Sequence, residues 1–351
     1  MKTGSDNKIQ AVISYSVFVL SGFLIFSPLH KSDNIPLSLL CAVLVSAATL
    51  CAILFLFTRN KCTSKNHPFF GAVFAVSASI CSLFASLMLL TEIIKDVSYI
   101  ANRGVSLIYY TFIALIILFV SYYLCTSADK GIYRFTVLSF LAFSFLFIIM
   151  FFSLFTTRSV IVDFASDKNS VICPILTGAK AGLFFTIDSV VFLMCFEEQL
   201  KNANGKIPNK SIFLGFFSAY SFIIIYNLFT TLIFGRLTSK ITDPDYALIK
   251  LINGIDLTEI ISAVRIVSFL LKSSSYIYLS SICLKAAIPK IKISNKTLVT
   301  LLYSLIPITF LVLAFFDKSL KYGAFQHLIY PITTIMSVCF IILSKALQKK
   351  K

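Results

Sequence analysis

The sequence predicts an all-α integral membrane protein of about ten transmembrane helices and no soluble domain, and three observations carry that prediction. Hydrophobic residues make up 58% of the 351 residues, charged residues only 13%, and the mean hydropathy is +0.91. A soluble domain carries roughly 45–50% apolar and about 25% charged residues. The apolar residues come in continuous blocks of about 20, the length that crosses ~30 Å of hydrocarbon. The blocks are runs of Leu, Ile, Phe, Val, Ala and Ser, unlike the ~10-residue alternating segments of an outer-membrane barrel.

Taken in order, the blocks place spans at 9–28, 36–57, 69–91, 104–125, 135–156, 178–198, 211–234, 259–284, 298–316 and 325–344. Pro28, Pro36, Gly104, Gly178 and Gly235 mark boundaries, as residues that interrupt helices. The first block outruns the apolar core of a signal peptide and lacks a small-residue cleavage site, so it is read as a span. The whole chain, 1–351, is expected to form one transmembrane domain.

Orientation follows from the basic residues in the connections. The side holding the N-terminus collects 18 Lys and Arg and four acids, and the opposite side 11 and ten. Both termini are therefore expected in the cytoplasm, which requires an even number of spans. The net charge of +16 is then the cytoplasmic fringe of a membrane protein facing anionic lipid. It calls for no nucleic-acid partner. Ten spans also divide into two fives that enter from opposite sides, about 9–156 and 178–344. That is the topology of the inverted repeats with which secondary transporters build a midplane site.

Seven of the nine Cys fall inside apolar blocks, and Cys62 and Cys173 fall in connections. No CxxC or Cys/His spacing occurs, so the thiols are read as small apolar fillers. His30, His67 and His327 are scattered, and no metal or other cofactor is expected. No nucleophile–base pair or phosphate-binding loop stands out, and the chain is not read as an enzyme.

Three charges lie inside spans: Asp188, Arg265 and Lys272. A charge at the bilayer centre costs at least ~2.5–3.5 kcal/mol and so seeks a partner or a wet cavity. Asp188 is midway along the sixth span and Lys272 midway along the eighth, so the two are expected to pair at one depth. Arg265 and Lys272 are seven residues apart on one helix face, with Ser268 and Ser275 on the same stripe. Arg265, near the outer end, is placed to snorkel. The first span carries Ser21-Gly22 near its middle, and the sixth carries Thr186, Asp188 and Ser189. Unwound helices at these two points would free backbone groups to bind a zwitterion such as an amino acid. Close packing explains a Gly-Ser step equally well.

Three stretches resemble the endospore germination permease family, the B subunits of nutrient germinant receptors. They are SGFLIFSP (Ser21 to Pro28), FTIDSVVFLMCF (Phe185 to Phe196) and the segment from Tyr246 to Lys272. The resemblance spans nearly the whole chain. Asp188 stands where that family commonly has Glu, and Ile260 stands where an Arg commonly follows the acid at Glu259. The family is similar to amino acid/polyamine/organocation transporters. The resemblance implies a five-plus-five inverted repeat with broken helices 1 and 6, and a small nutrient, such as an amino acid, bound between the breaks. It also implies residence in the spore inner membrane and partner subunits, one soluble-headed and one a lipoprotein. An ion-coupled amino acid transporter is the alternative reading, and a structural membrane protein a third. Alkaline phosphatase fused after Lys351 is expected to be inactive in a bacterial host, and green fluorescent protein fused there to fluoresce. The reverse pattern would overturn the assigned topology.

Overall fold

The computed structural model describes residues 4–25, 34–59, 107–156, 172–200, 208–234, 258–287, 294 and 297–302. They form seven long helices and no strand: α1 Gly4–Ile25, α2 Ile35–Arg59, α3 Leu107–Thr126, α4 Ala128–Thr156, α5 Ile172–Leu200, α6 Asn209–Phe234 and α7 Thr258–Ala287. These correspond to the expected spans one, two and four to eight. Residues 297–302 are also helical and open the expected ninth span. The expected spans 69–91 and 325–344, with the rest of 298–316, lie outside the described residues.

Five stretches are long and apolar enough to cross a membrane: Ile35–Phe55, Gly131–Ile149, Ile172–Phe196, Asn209–Phe234 and Ile261–Lys285. With the shorter apolar stretch Lys8–Phe23 they fit a multi-pass membrane protein. Exposure agrees with that reading. On α4, Leu138, Leu141, Phe145 and Ile148 recur at helical spacing and are 50–68% exposed. Such a stripe would be a liability in water but is the natural face toward lipid.

Local chemistry sets the helix starts. The Asn34 side chain accepts the Leu37 N–H at 3.2 Å, capping α2. The Ser294 hydroxyl accepts the Thr297 N–H at 3.1 Å in the same role. The Pro208 carbonyl accepts the N–H groups of Ser211 and Ile212 and opens α6. Three starts come at least five residues earlier than expected, the first being α1, at Gly4 instead of 9. α4 begins at Ala128 instead of 135, and α5 at Ile172 instead of 178. Pro174 lies in the first turn of α5, where its missing N–H breaks no intrahelical bond. Cys173 is therefore helical and exposed, not in a connection, and Gly178 is an interior packing residue, not a boundary.

The expected breaks in the first and sixth spans are not found at their predicted positions. α1 stays helical through Ser21-Gly22, and the Ser21 hydroxyl donates to the Phe18 carbonyl of its own helix at 2.7 Å. α5 stays helical through Thr186, Asp188 and Ser189, and leaves helical dihedrals only at Phe196 (φ −114°, ψ 15°). Hydroxyls that bond back to the preceding turn satisfy themselves without unwinding the backbone.

The chain gathers into two compact units, with α2, α4, α5 and α7 each contributing to both. The first comprises residues 1–51, 136–186 and 208–268. In it α1 packs along α6. Gly215 lies against Val12 and Tyr15, and eleven residues further along both helices Phe23 meets the Tyr226 ring at 5.2 Å. The two helices therefore run parallel. The Ser16 hydroxyl joins them, 3.0 Å from the Gly215 carbonyl and 2.8 Å from the Val12 carbonyl. α4 also runs parallel to α6, with Phe147 on Phe222 at 4.7 Å and Phe151 on Phe229 at 6.2 Å.

α2 and α5 form a third parallel pair, built on the glycines of Gly178-Ala-Lys-Ala-Gly182. Gly178 sits over Ser38 and Cys41, and Gly182 over Ala42 and Val45. The Ser38 hydroxyl donates to the Pro174 carbonyl at 2.8 Å. Small residues four apart let two backbones approach closely, the strongest packing device available where lipid is as apolar as leucine. A Cβ on Gly182 would stand 2.7 Å from the Ala42 carbonyl oxygen and 2.9 Å from Val45 Cβ. Backbone cannot rotate away as a side chain can. Gly182→Leu is therefore expected to cost about 1–3 kcal/mol or more and to lower the melting temperature in detergent. An unchanged melting temperature would mean that α2 and α5 do not meet here.

Candidate functional site

The second unit comprises residues 52–135, 187–207 and 269–351. Its described core is formed by α3, the later half of α5 and the later half of α7. The stretches of α5 and α7 that are long and apolar enough to cross a membrane are the most enclosed of the five, 71% and 83% buried against 33–44% for the others. Both carry serine, cysteine and charged side chains among their apolar residues, with Asp188 on α5 and Lys272 on α7 among the charges. An enclosed helix with a polar face directs that face into protein, because lipid cannot satisfy it.

Asp188 on α5 and Lys272 on α7 meet as an ion pair, Nζ to Oδ1 2.5 Å, with both side chains only 3% exposed. Each lies near the middle of its membrane-crossing stretch. The pairing expected from depth alone is thus present. The second carboxylate oxygen, Oδ2, is buried and has no hydrogen-bond partner among the described residues. The Tyr276 hydroxyl, one helical turn beyond Lys272, is in the same condition.

Around the pair, α7 carries Ser273, Ser274 and Ser275, all fully buried. Their hydroxyls bond back to the preceding turn: Ser273 and Ser274 to the Leu270 carbonyl and Ser275 to the Leu271 carbonyl, at 2.6–3.3 Å. Neighbouring helices reach the same stretch. The Cys195 thiol of α5 donates to the Ser275 carbonyl at 3.3 Å, and the Cys125 thiol of α3 to the Ser274 carbonyl at 3.2 Å. The hydroxyls of Ser121 and Ser274 lie 3.3 Å apart. Because Asp188 and Cys195 both meet α7, at Lys272 and Ser275 respectively, α5 and α7 also run parallel. Phe196, where α5 kinks, rests on Phe192 and Tyr133 with ring centroids 5.0 and 5.6 Å apart.

Of the residues singled out in the sequence, Asp188 and Lys272 are brought together. Ser189 is buried beside Asp188, and Ser275 lies one turn from Lys272. Ser21 and Gly22 belong to the first unit, where they are buried within α1. The Thr186 side chain lies outside the described side chains. Ser268 is buried and Arg265 half-buried, both on the part of α7 in the first unit. Sequence reasoning missed Cys125, Cys195 and Tyr276. Spacing could have found two of them: Cys195 follows Asp188 by seven residues, and Tyr276 follows Lys272 by four, each on its charge's helix face. Among the described residues no group of His, Cys, Asp and Glu could hold a metal ion.

Comparison with protein-family models and with curated proteins finds no match to the chain.

A buried pair is worth little against an apolar replacement, but removing one partner of such a pair typically costs about 3–5 kcal/mol. Asp188→Asn and Lys272→Met are each expected to lower the melting temperature clearly, whereas the double variant should return close to the parent. A loss in the double variant equal to the sum of the two single losses would show that the two side chains do not interact.

Proposed function

We propose that the chain is the polytopic membrane subunit of a spore nutrient germinant receptor. In this reading it lies in the spore inner membrane, binds a small nutrient such as an amino acid near the bilayer midplane, and passes the signal to a soluble-headed subunit and a lipoprotein. One observation carries the binding site: two opposite full charges, both 3% exposed, face each other at mid-span on separate helices. Ionisable groups at such depth are rare and costly, and are read first as marks of a ligand or ion pathway. The resemblance of Ser21 to Pro28, Phe185 to Phe196 and Tyr246 to Lys272 to germination permeases supplies the receptor part of the proposal.

The ten-span layout belongs to the same proposal, and the helix directions support it. α2 and α5 run parallel, yet only α3 and α4 separate them among the described helices. If each helix crosses once, parallel seating requires an odd number of further crossings between α2 and α5. Outside α3 and α4, the sequence of that interval has a single apolar block of span length, 69–91. The parallel pairs α1–α6, α4–α6 and α5–α7 fit the same count. Ten crossings in two fives of opposite entry are the frame on which an inverted repeat is built.

The proposal is tested in spores. Deletion of the gene is expected to abolish germination on one nutrient while leaving germination by non-nutrient triggers intact. Lys272→Met and Asp188→Asn, at wild-type abundance, are expected to reproduce the defect. Purified protein in proteoliposomes should bind the nutrient without accumulating it. Robust coupled accumulation would overturn the receptor reading in favour of an ion-coupled amino acid transporter.

A further inference from the structure

We infer that the Asp188–Lys272 pair is a charge filter which a ligand opens by exchange, so that only zwitterions are admitted. The inference rests on the proposed binding role of this site and names what the site selects.

The two side chains form a neutral unit in a place where a single charge is heavily penalised. A ligand bearing only an ammonium group could draw Asp188 away, but would leave Lys272 without its carboxylate. A ligand bearing only a carboxylate would leave Asp188 in the corresponding state. Either route ends with a buried charge stripped of its counter-ion, the outcome that buried pairs resist most strongly. A molecule carrying both groups ends differently. Its ammonium replaces Lys272 at Asp188, its carboxylate replaces Asp188 at Lys272, and two ion pairs stand where there was one. No net charge enters the bilayer, and no protein charge loses a partner.

The geometry leaves one acceptor of the pair unused. Lys272 Nζ engages Oδ1, while Oδ2 is buried and has no hydrogen-bond partner among the described residues. An incoming ammonium group can therefore donate to Oδ2 before the internal pair lengthens, so that exchange proceeds without a bare intermediate.

The test uses the full chain in nanodiscs and three sets of probes: the proteinogenic amino acids, the corresponding amines lacking the carboxylate, and the corresponding acids lacking the amine. For the unaltered protein, the best amino acid is expected to bind on the order of 100-fold more tightly than its matched amine or acid. Lys272→Met should lose that preference and take the amine at least as well as the amino acid. The neutral double variant Asp188→Asn/Lys272→Met, which holds no unmatched charge, guards against misfolding of the single variant and should bind no set preferentially. Equal binding of the amine or the acid by the unaltered protein overturns the filter. So does an undiminished amino acid preference in either variant. Binding of a sugar or nucleoside in place of all three sets overturns the filter but leaves the receptor standing. Failure to bind any small nutrient overturns the proposed function itself.

Discussion

The second unit depends on one interaction, the ion pair between Asp188 and Lys272. Each charge alone at mid-span would cost at least ~2.5–3.5 kcal/mol, and together they are tolerable only in contact. That requirement fixes the depth of α5 against α7 and the rotation of both. Once the pair is formed, Cys195 and Ser275 fall opposite each other and the serines of α7 point into protein. The apolar residues add packing but could slide by a turn with little loss. The charges cannot. The pair therefore supplies register more than stability, the use of buried ionic groups that is best attested.

The first unit reaches the same end with small residues. Gly178, Gly182 and Gly215 bring backbones close enough for hydroxyls to cross-link helices, as in Ser38 to Pro174 and Ser16 to Gly215. Tyr220 adds a hydroxyl hydrogen bond to Ser46, tying α6 to α2. Dispersion at close approach and hydrogen bonds between helices are what remain when hydrophobic burial offers no gain between lipid and protein. The two units thus illustrate two solutions to one problem: one by shape, the other by charge.

Much of this was legible in the sequence, for reasons that differ by residue. Seven of the expected spans appear as helices because twenty apolar residues in a row have few alternatives in a bilayer. The Asp188–Lys272 contact was legible because depth and opposite charge together leave few other partners. Gly178 misled, since a glycine before an apolar run reads as a stop, while its partner four residues on marks it as an interface. Ser21-Gly22 misled in the other direction. A helix-weakening step was read as a break, but the Ser21 hydroxyl bonds within its own turn and the helix runs on. Tyr276 and Cys195 went unnoticed because a tyrosine and a cysteine in an apolar run carry no signal until the charge on their face is known to be in use.

The doubly placed hydroxyl of Ser16 bears on how such a chain is made. Its partner carbonyl at Gly215 lies 199 residues downstream. At about 5–20 residues per second, the ribosome delivers that carbonyl roughly 10–40 s after α1 has been synthesised. Through that interval α1 must wait, its future neighbour unmade. The second contact, to the Val12 carbonyl four residues back at 2.8 Å, means the hydroxyl never waits bare. The first helix can be made with that hydroxyl already satisfied, and when the late helix arrives the single hydroxyl hydrogen is shared between the two carbonyls or passes from one to the other.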